Sequence, residues 1–340
     1  MAQAAPLMLP TAYGGIARLA VARCRDADVD PLPLLNRVGL TPDAIDDPRI
    51  RLSVECQVML LDLAADALSD DVLGFHLAQS FELREAGLVY FVLASSATLG
   101  DALKRAERYS TIANEGLRLQ TLPGADVGIR LAAAGIPRYT DRHQFEFWVT
   151  AVVRMAGHLT GRKLRPTRAV LAHPRCGSSG ELEAFFGCSV TFGAGEDVIA
   201  YEPEAAALPL TDADPYLNDL LVTYCEEALA HRRCPPEALR TRVENAITTL
   251  LPHGKARADA VARALGMSQR TLARRLTAEG LSFADVLGTM RADLAMHYLG
   301  EQDLSVSEIA WLVGFQEVSA FTHAFKRWTG RTPTQVRAGR

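Results

Sequence analysis

Apolar residues recur at three- and four-residue spacing along most of the chain, and their rhythm divides it into two unlike regions. From Thr11 to about Ser110 the spacing is helical, as in Val58, Leu61 and Ala65, with breaks at Pro31, Pro33, Pro42 and Pro48. Leu117–Leu122 and Val127–Ala132 alternate instead, and Pro123-Gly124-Ala125-Asp126 between them spells a turn, so two short strands are expected. His143–Leu159 returns to helical spacing, Arg168–Leu171 reads as a strand, Ser179–Phe186 as a helix stopped at Gly187, and Val198–Tyr201 as one more strand. An α+β domain over residues 1–205 is the expectation. Pro203, Pro209 and Pro215 close it, Tyr216–Ala230 resumes helical spacing, and Pro235-Pro236 interrupts again. Residues 206–238 are therefore read as a linker carrying one helix, followed by an all-α domain over 239–340.

That last domain contains an internal repeat. Ala260-Val261-Ala262-Arg263-Ala264-Leu265-Gly266-Met267 aligns with Glu308-Ile309-Ala310-Trp311-Leu312-Val313-Gly314-Phe315, glycine upon glycine. Each copy spells a short amphipathic helix, a Gly able to take the left-handed backbone, and an apolar residue that re-enters the core. Ser268 is placed to cap the helix after the first turn, and Leu272 and Leu276 form its inward face. Phe321, Phe325 and Trp328 do the same in the second copy. With those faces buried, Arg270, Ala273 and Arg274 share one outward stripe, and Ser319, Thr322, His323 and Lys326 share the other. The candidates for contact with double-stranded DNA are thus Ser268, Gln269, Arg270, Thr271, Ala273 and Arg274 in the first unit, and Gln316, Ser319, Thr322, His323 and Lys326 in the second. Arg donates bidentately to guanine O6 and N7, which makes Arg274 the leading candidate for a base contact. Between the units, Phe283, Leu287, Met290, Leu294 and Tyr298 predict one long helix. It would space two recognition helices by about one DNA turn, about 34 Å, for entry into successive major grooves.

Charge sharpens this division. The chain of 340 residues has a net charge of -4, which alone speaks against nucleic acid, but residues 240–340 hold 14 Lys and Arg against 9 Asp and Glu. The remainder is acidic. At 49% hydrophobic and 22% charged residues the chain can bury a sizeable core. Gly87–Ala97 is too short to span a bilayer, and Met1–Gly15 lacks the pattern of a secretion signal, so a cytoplasmic protein without membrane contact is expected. The six cysteines form no Cys-x-x-Cys pair. His173 with Cys176 is the nearest approach to a ligand pair and lacks partners, so neither metal nor cofactor is expected.

Arg291-Ala292-Asp293-Leu294-Ala295, Ile309-Ala310, Gly314-Phe315, Phe321, Phe325-Lys326-Arg327 and Gly330-Arg331-Thr332-Pro333 closely resemble the signature of the AraC/XylS family. The resemblance implies a seven-helix DNA-binding domain and a transcriptional activator or, less often, a repressor, with RNA polymerase as a partner. Ala273 and Val318 depart from the longer polar residues that many members carry in the reading stripes, leaving only apolar contact there, as to thymine methyls. Upstream, Arg168–Pro174, Phe185-Phe186-Gly187-Cys188, Val190–Ala194, Leu208-Pro209-Leu210 and Ala213-Asp214-Pro215 resemble the branch that includes ornithine-utilisation and mycobacterial virulence regulators. In that branch the N-terminal domain is held to bind a small-molecule effector and to help form a homodimer.

Candidate effector-binding residues are His76, Tyr90, His143, Trp148 and Arg154, aromatic or ionisable groups set in apolar helices. Each also has an ordinary structural reading, and Glu146, two turns before Arg154, suggests a solvated face there. Gly193-Ala194-Gly195-Glu196 lacks the third glycine and the helix of a phosphate loop. An enzyme with a regulatory appendage would need a nucleophile with its base, or a metal set; no Gly-x-Ser-x-Gly, His-Glu-x-x-His or P-loop is present. A ligand-independent DNA-binding protein whose first domain only dimerises is the other alternative.

Overall fold

The computed structural model describes residues 10–124, 126–174, 177–230, 239–251, 254–300 and 304–338. In the N-terminal region the elements run β1 (Thr11–Tyr13), α1 (Gly15–Asp26), α2 (Leu32–Arg37), α3 (Pro42–Asp46), β2 (Arg51–Ser53), α4 (Val54–Leu68), α5 (Leu73–Ser80), α6 (Leu88–Ala94), α7 (Leu99–Ala113), β3 (Leu117–Thr121), β4 (Val127–Ala133), α8 (His143–Thr160), β5 (Arg168–Leu171), α9 (Ser179–Phe186), β6 (Val190–Phe192), β7 (Asp197–Tyr201) and α10 (Pro215–Ala230). The C-terminal region is helical: α11 (Leu239–Leu250), α12 (Ala258–Ala264), α13 (Gln269–Ala278), α14 (Phe283–Gly300), α15 (Val306–Leu312), α16 (Val318–Thr329) and α17 (Pro333–Ala338).

Strands β3 to β7 form a five-stranded sheet in the order β3-β4-β7-β5-β6, antiparallel except for the β5–β6 pair. Its register places Leu119 opposite Leu131 and Ile129 opposite Ile199. Because strand side chains alternate, Leu119, Ile129, Leu131, Leu171 and Ile199 feed the large core beneath the helices, while Val170, Val198 and Ala200 form a smaller cluster on the other face. Helices α5 and α8 pack together inside that large core, which also holds Phe75, Phe145, Phe147 and Phe186 and reaches Cys225 on α10. The strands expected around Pro123 and the helices from His143, Ser179 and Tyr216 are present. The β1–β2 pair lies in a stretch read as largely helical, and β6 was not anticipated as a strand. Each of these strands has three residues, too few to show a period of two. Pro235-Pro236, Cys176 and Cys234 lie outside the described residues.

A second core, from Val243 to Val336, belongs to α11–α17. The two regions meet at a 3-10 turn, Arg138–Thr140, just before α8. There the Arg138 backbone N–H donates to Asn245 Oδ1 on α11 at 2.9 Å, and Asn245 Nδ2 donates to the Ala133 carbonyl at 3.2 Å. Tyr139 packs against the second core and its hydroxyl donates to Asp293 on α14. Among the described residues, no helix is long and apolar enough to cross a membrane.

Candidate nucleic-acid interface

The two copies of the repeat close with the same hydrogen bonds. Gly266 N–H donates to the Arg263 carbonyl at 3.0 Å and Met267 N–H to the Ala262 carbonyl at 2.9 Å. In the second copy Gly314 donates to Trp311 at 2.9 Å and Phe315 to Ala310 at 2.8 Å. Both are helix stops in which the glycine takes positive φ, +68° at Gly266 and +80° at Gly314, and two otherwise unpaired carbonyls are satisfied. At Gly314 a side chain is excluded twice over, because a Cβ would also lie 2.7 Å from the Leu251 carbonyl. Arg291 holds this second turn, donating from Nη2 to the Gly314 carbonyl at 3.4 Å while its guanidinium lies 4.7 Å over the Phe315 ring. Arg291, the first residue of the signature run, is thus structural.

After each turn a helix begins in a fixed direction. Ser268 Oγ accepts from Thr271 N–H at 3.1 Å at the start of α13. Leu272 and Leu276 are buried, while Gln269, Arg270, Ala273 and Arg274 are exposed and Thr271 is half-buried. In α16, Phe321 and Phe325 are buried, Ser319, His323 and Lys326 are exposed, as is Gln316 just before the helix, and Thr322 is half-buried with its hydroxyl donating to the Val318 carbonyl at 2.8 Å. Arg275 and Arg327 are further exposed cations on these helices that the stripes did not include; the basic pairs Arg274-Arg275 and Lys326-Arg327 are the signal for them. Helix α14, 18 residues and about 27 Å long, packs on α15, α16 and α17. Two helices with outward donors, on one rigid frame, form a surface suited to the edges and phosphates of duplex DNA.

Residues 261–339 match a helix-turn-helix domain, and residues 29–210 match the arabinose-binding domain of AraC transcription regulator, N-term. The chain belongs to the AraC family of transcription regulators. It is 31% identical over 320 residues to the HTH-type transcriptional regulator VirS of Mycobacterium tuberculosis, covering 92% of each chain. It is 27% identical over 332 residues to the Ornithine utilization regulator of Pseudomonas aeruginosa, covering 97% of this chain and 96% of that one. A Urease operon transcriptional activator of Escherichia coli is 39% identical over 95 residues, 27% of this chain and 32% of its own. As an AraC-family member the chain is a DNA-binding transcription regulator, not an enzyme.

In the arabinose-binding-type domain of this AraC-family regulator the five effector candidates are dispersed. His76 Nδ1 lies 2.8 Å from Asp70 and its Nε2 3.0 Å from Glu181; burial lowers its pKa, but these two acids outweigh that and raise it. Tyr90 Oη meets His158 Nε2 at 3.0 Å, and Arg154 Nη1 donates to the Phe81 carbonyl at 2.7 Å and to that of Ala78, bracing the end of α5. His143 lies 3.3 Å from Glu146. Only Trp148 has a polar atom, Nε1, that is buried without a partner.

Glu146 does not sit on a solvated face: it is fully buried, with Arg142 at 3.1 Å and His173 at 3.3 Å. Burial alone would raise its carboxyl, but Arg142 and the two histidines hold it at about 2. Beside it Arg138 grips Asp197 through two hydrogen bonds of 2.6 Å. Burial pushes Asp141 up to about 7 despite Arg138 and Gln144. Nothing in the run Arg138–Gln144 marks these groups as buried, since charged residues around a helix start usually face water. A cleft between the two regions is lined by Arg138, Arg142 and His173 on one side and Leu294, His297 and Leu312 on the other, and its two arginines are already engaged by Asp197 and Glu146.

Proposed function

We propose that this AraC-family regulator is a sequence-specific transcription activator that reads two successive major-groove segments and answers to a small-molecule effector. The observation that carries this reading is the duplicated turn, which sets α13 and α16 in the same relation to their supporting helices and leaves Arg270, Arg274, His323 and Lys326 exposed. Arg274 is assigned the base contact, Ser268 and the remaining polar residues the phosphates and neighbouring bases. Residues 1–205 act as sensor, 206–238 as linker and 239–340 as reader. The activator sign draws on the likeness to the Urease operon transcriptional activator, and the effector on the arabinose-binding-type domain.

A homodimer in contact with RNA polymerase completes the reading. Tyr216, Leu220 and Tyr224 on α10 stand four residues apart and are 76%, 43% and 61% exposed, an apolar stripe suited to a second copy. Selection of bound fragments from genomic DNA, followed by salt-controlled binding, tests the whole. A recurring site with two contacted segments about one turn apart supports the reading. Salt-sensitive binding without sequence preference refutes it.

A further inference from the structure

A cavity of about 380 Å³, counting its open mouth, lies between β1, α1, the turn Leu83–Ala86, the end of α7 and the start of α8. Its walls are mainly aromatic and aliphatic: Tyr13, Ile16, Phe81, Phe147 and Trp148, with the Glu85 carboxylate at the rim. The composition is typical of a small-molecule site, apolar with few polar groups. Trp148 lines this cavity, and its indole N–H is buried without an acceptor. A donor left so pays a desolvation penalty that a ligand oxygen would remove. Arg18, whose Nη2 donates to Glu85 at 2.9 Å, carries a second buried donor without a partner, Nη1.

The floor of the cavity is wired to the DNA-binding region. Lining residue Asn114 donates from Nδ2 to Gln144 Oε1 at 2.7 Å, and Gln144 Nε2 donates in turn to the Asp141 carboxylate. The Asp141 backbone carbonyl accepts from Arg138 Nη1 at 2.6 Å, and the Arg138 backbone N–H donates to Asn245 on α11. Asn114, Gln144, Asp141 and Arg138 are all buried, so a shift at one end has little free space in which to dissipate.

We propose that this cavity is the effector site, and that it takes a small ring-bearing molecule whose carbonyl or carboxylate oxygen accepts from Trp148 Nε1. Occupancy acts on the reader through Asn114, Gln144, Asp141, Arg138 and Asn245. The inference rests on the regulator reading above and names the ligand chemistry that reading leaves open.

The test uses the full chain labelled with 15N at its tryptophans. Trp148, Trp311 and Trp328 each give an indole N–H signal, and Trp148→Phe assigns the first. Benzamide, benzoate and toluene are the probes. Benzamide or benzoate is expected to move the Trp148 N–H proton downfield, the signature of a hydrogen bond, and leave the other two in place, while toluene, with no acceptor, gives no downfield shift. Trp148→Phe weakens benzamide binding by about five- to tenfold, the loss of one hydrogen bond; Ala86→Leu, filling the cavity, abolishes it. No shift with either oxygen-bearing probe overturns the site, and an equal downfield shift with toluene overturns the assigned chemistry. In the same samples the bound probe should change affinity for the selected DNA site severalfold, and Gln144→Leu should remove that change while keeping the indole shift. Asn245→Ala, half-buried and outside the N-terminal core, tests the same link a second way. A probe that binds without altering DNA affinity in the unmodified chain overturns the coupling. Absence of any preferred DNA site refutes the regulator reading instead, and the indole signal still reports on the cavity.

Discussion

The two regions of this AraC-family regulator handle polar side chains in opposite ways. Among the described residues the buried polar and charged groups, from Gln57 to Asn218, lie almost wholly in the N-terminal region, with Glu244 alone beyond residue 238. In α13 and α16 the arginines and the lysine point outward from a plain apolar core. One region thus spends its polar chemistry on internal order and on a connection to its neighbour, the other keeps it for an external partner. Substitution of the same residue type should therefore have different consequences on the two sides.

The sharpest contrast is between two arginines. Arg138→Ala leaves Asp197, 2% exposed, as an uncompensated buried charge, and is expected to cost about 3–5 kcal/mol of stability by chemical denaturation. A cost below about 1 kcal/mol would mean that water reaches Asp197 and would break the contrast. Acidity offers the next test. The Asp141 carboxyl is raised from its ordinary 3.8 to about 7, so its protonated form is the one the fold prefers. The stability it confers is complete below about pH 4 and drains away as pH rises towards 7, by about 2–3 kcal/mol between pH 5 and 7. Glu146, held at about 2, contributes in the opposite sense, losing its stabilisation only below its ordinary 4.5, so it is silent in that window. Asp141→Asn should remove this share of the slope from pH 5 to 7 and leave those of Asp62, raised by burial to about 6 and acting in the same sense, and of His173, lowered by burial to about 4 and acting in the opposite sense; an unchanged slope would assign the titration elsewhere.

The same contrast decided what could be read from the chain. The reader was legible down to its glycines because its signals are local: a helical period, Gly266 and Gly314 at the stops, Ser268 at the cap. In the N-terminal region the decisive contacts are distant in sequence. Arg138 and Asp197 are 59 residues apart, and Asn114 and Gln144 30, so no local pattern marks them as buried partners. Glu146 misled for this reason, since a carboxylate on a helix is ordinarily exposed and only the fold brings Arg142, His143 and His173 around it. Trp148 was singled out as an aromatic group in an apolar helix, and its orphaned N–H is a property of the assembled fold. The short strands β1, β2 and β6 were invisible because three residues cannot display alternation.

On the reader side, Arg274→Ala should leave stability within about 0.5 kcal/mol, because the side chain is exposed, while costing about 1–3 kcal/mol of specific binding and relaxing one base preference. Binding titrations against single-base variants of the selected site distinguish this from a phosphate contact, which would weaken all sequences alike and lower the salt slope.

The smallest expected effect asks whether one residue serves both purposes. Ser268 caps α13 through Thr271 N–H and is exposed at the start of the helix proposed to meet DNA, so if it also contacts a phosphate Ser268→Ala should lose about 1 kcal/mol of stability and some DNA affinity together. Ser268→Asp separates the two. Its carboxylate can accept the same N–H and suits the positive end of the helix, so stability is retained, but it sets a negative charge against the DNA backbone. Retained stability with weakened binding, most marked at low salt, places Ser268 at the interface as well as at the cap. Unchanged binding would reduce it to a structural residue and shift the protein's grip towards Arg270 and Arg274.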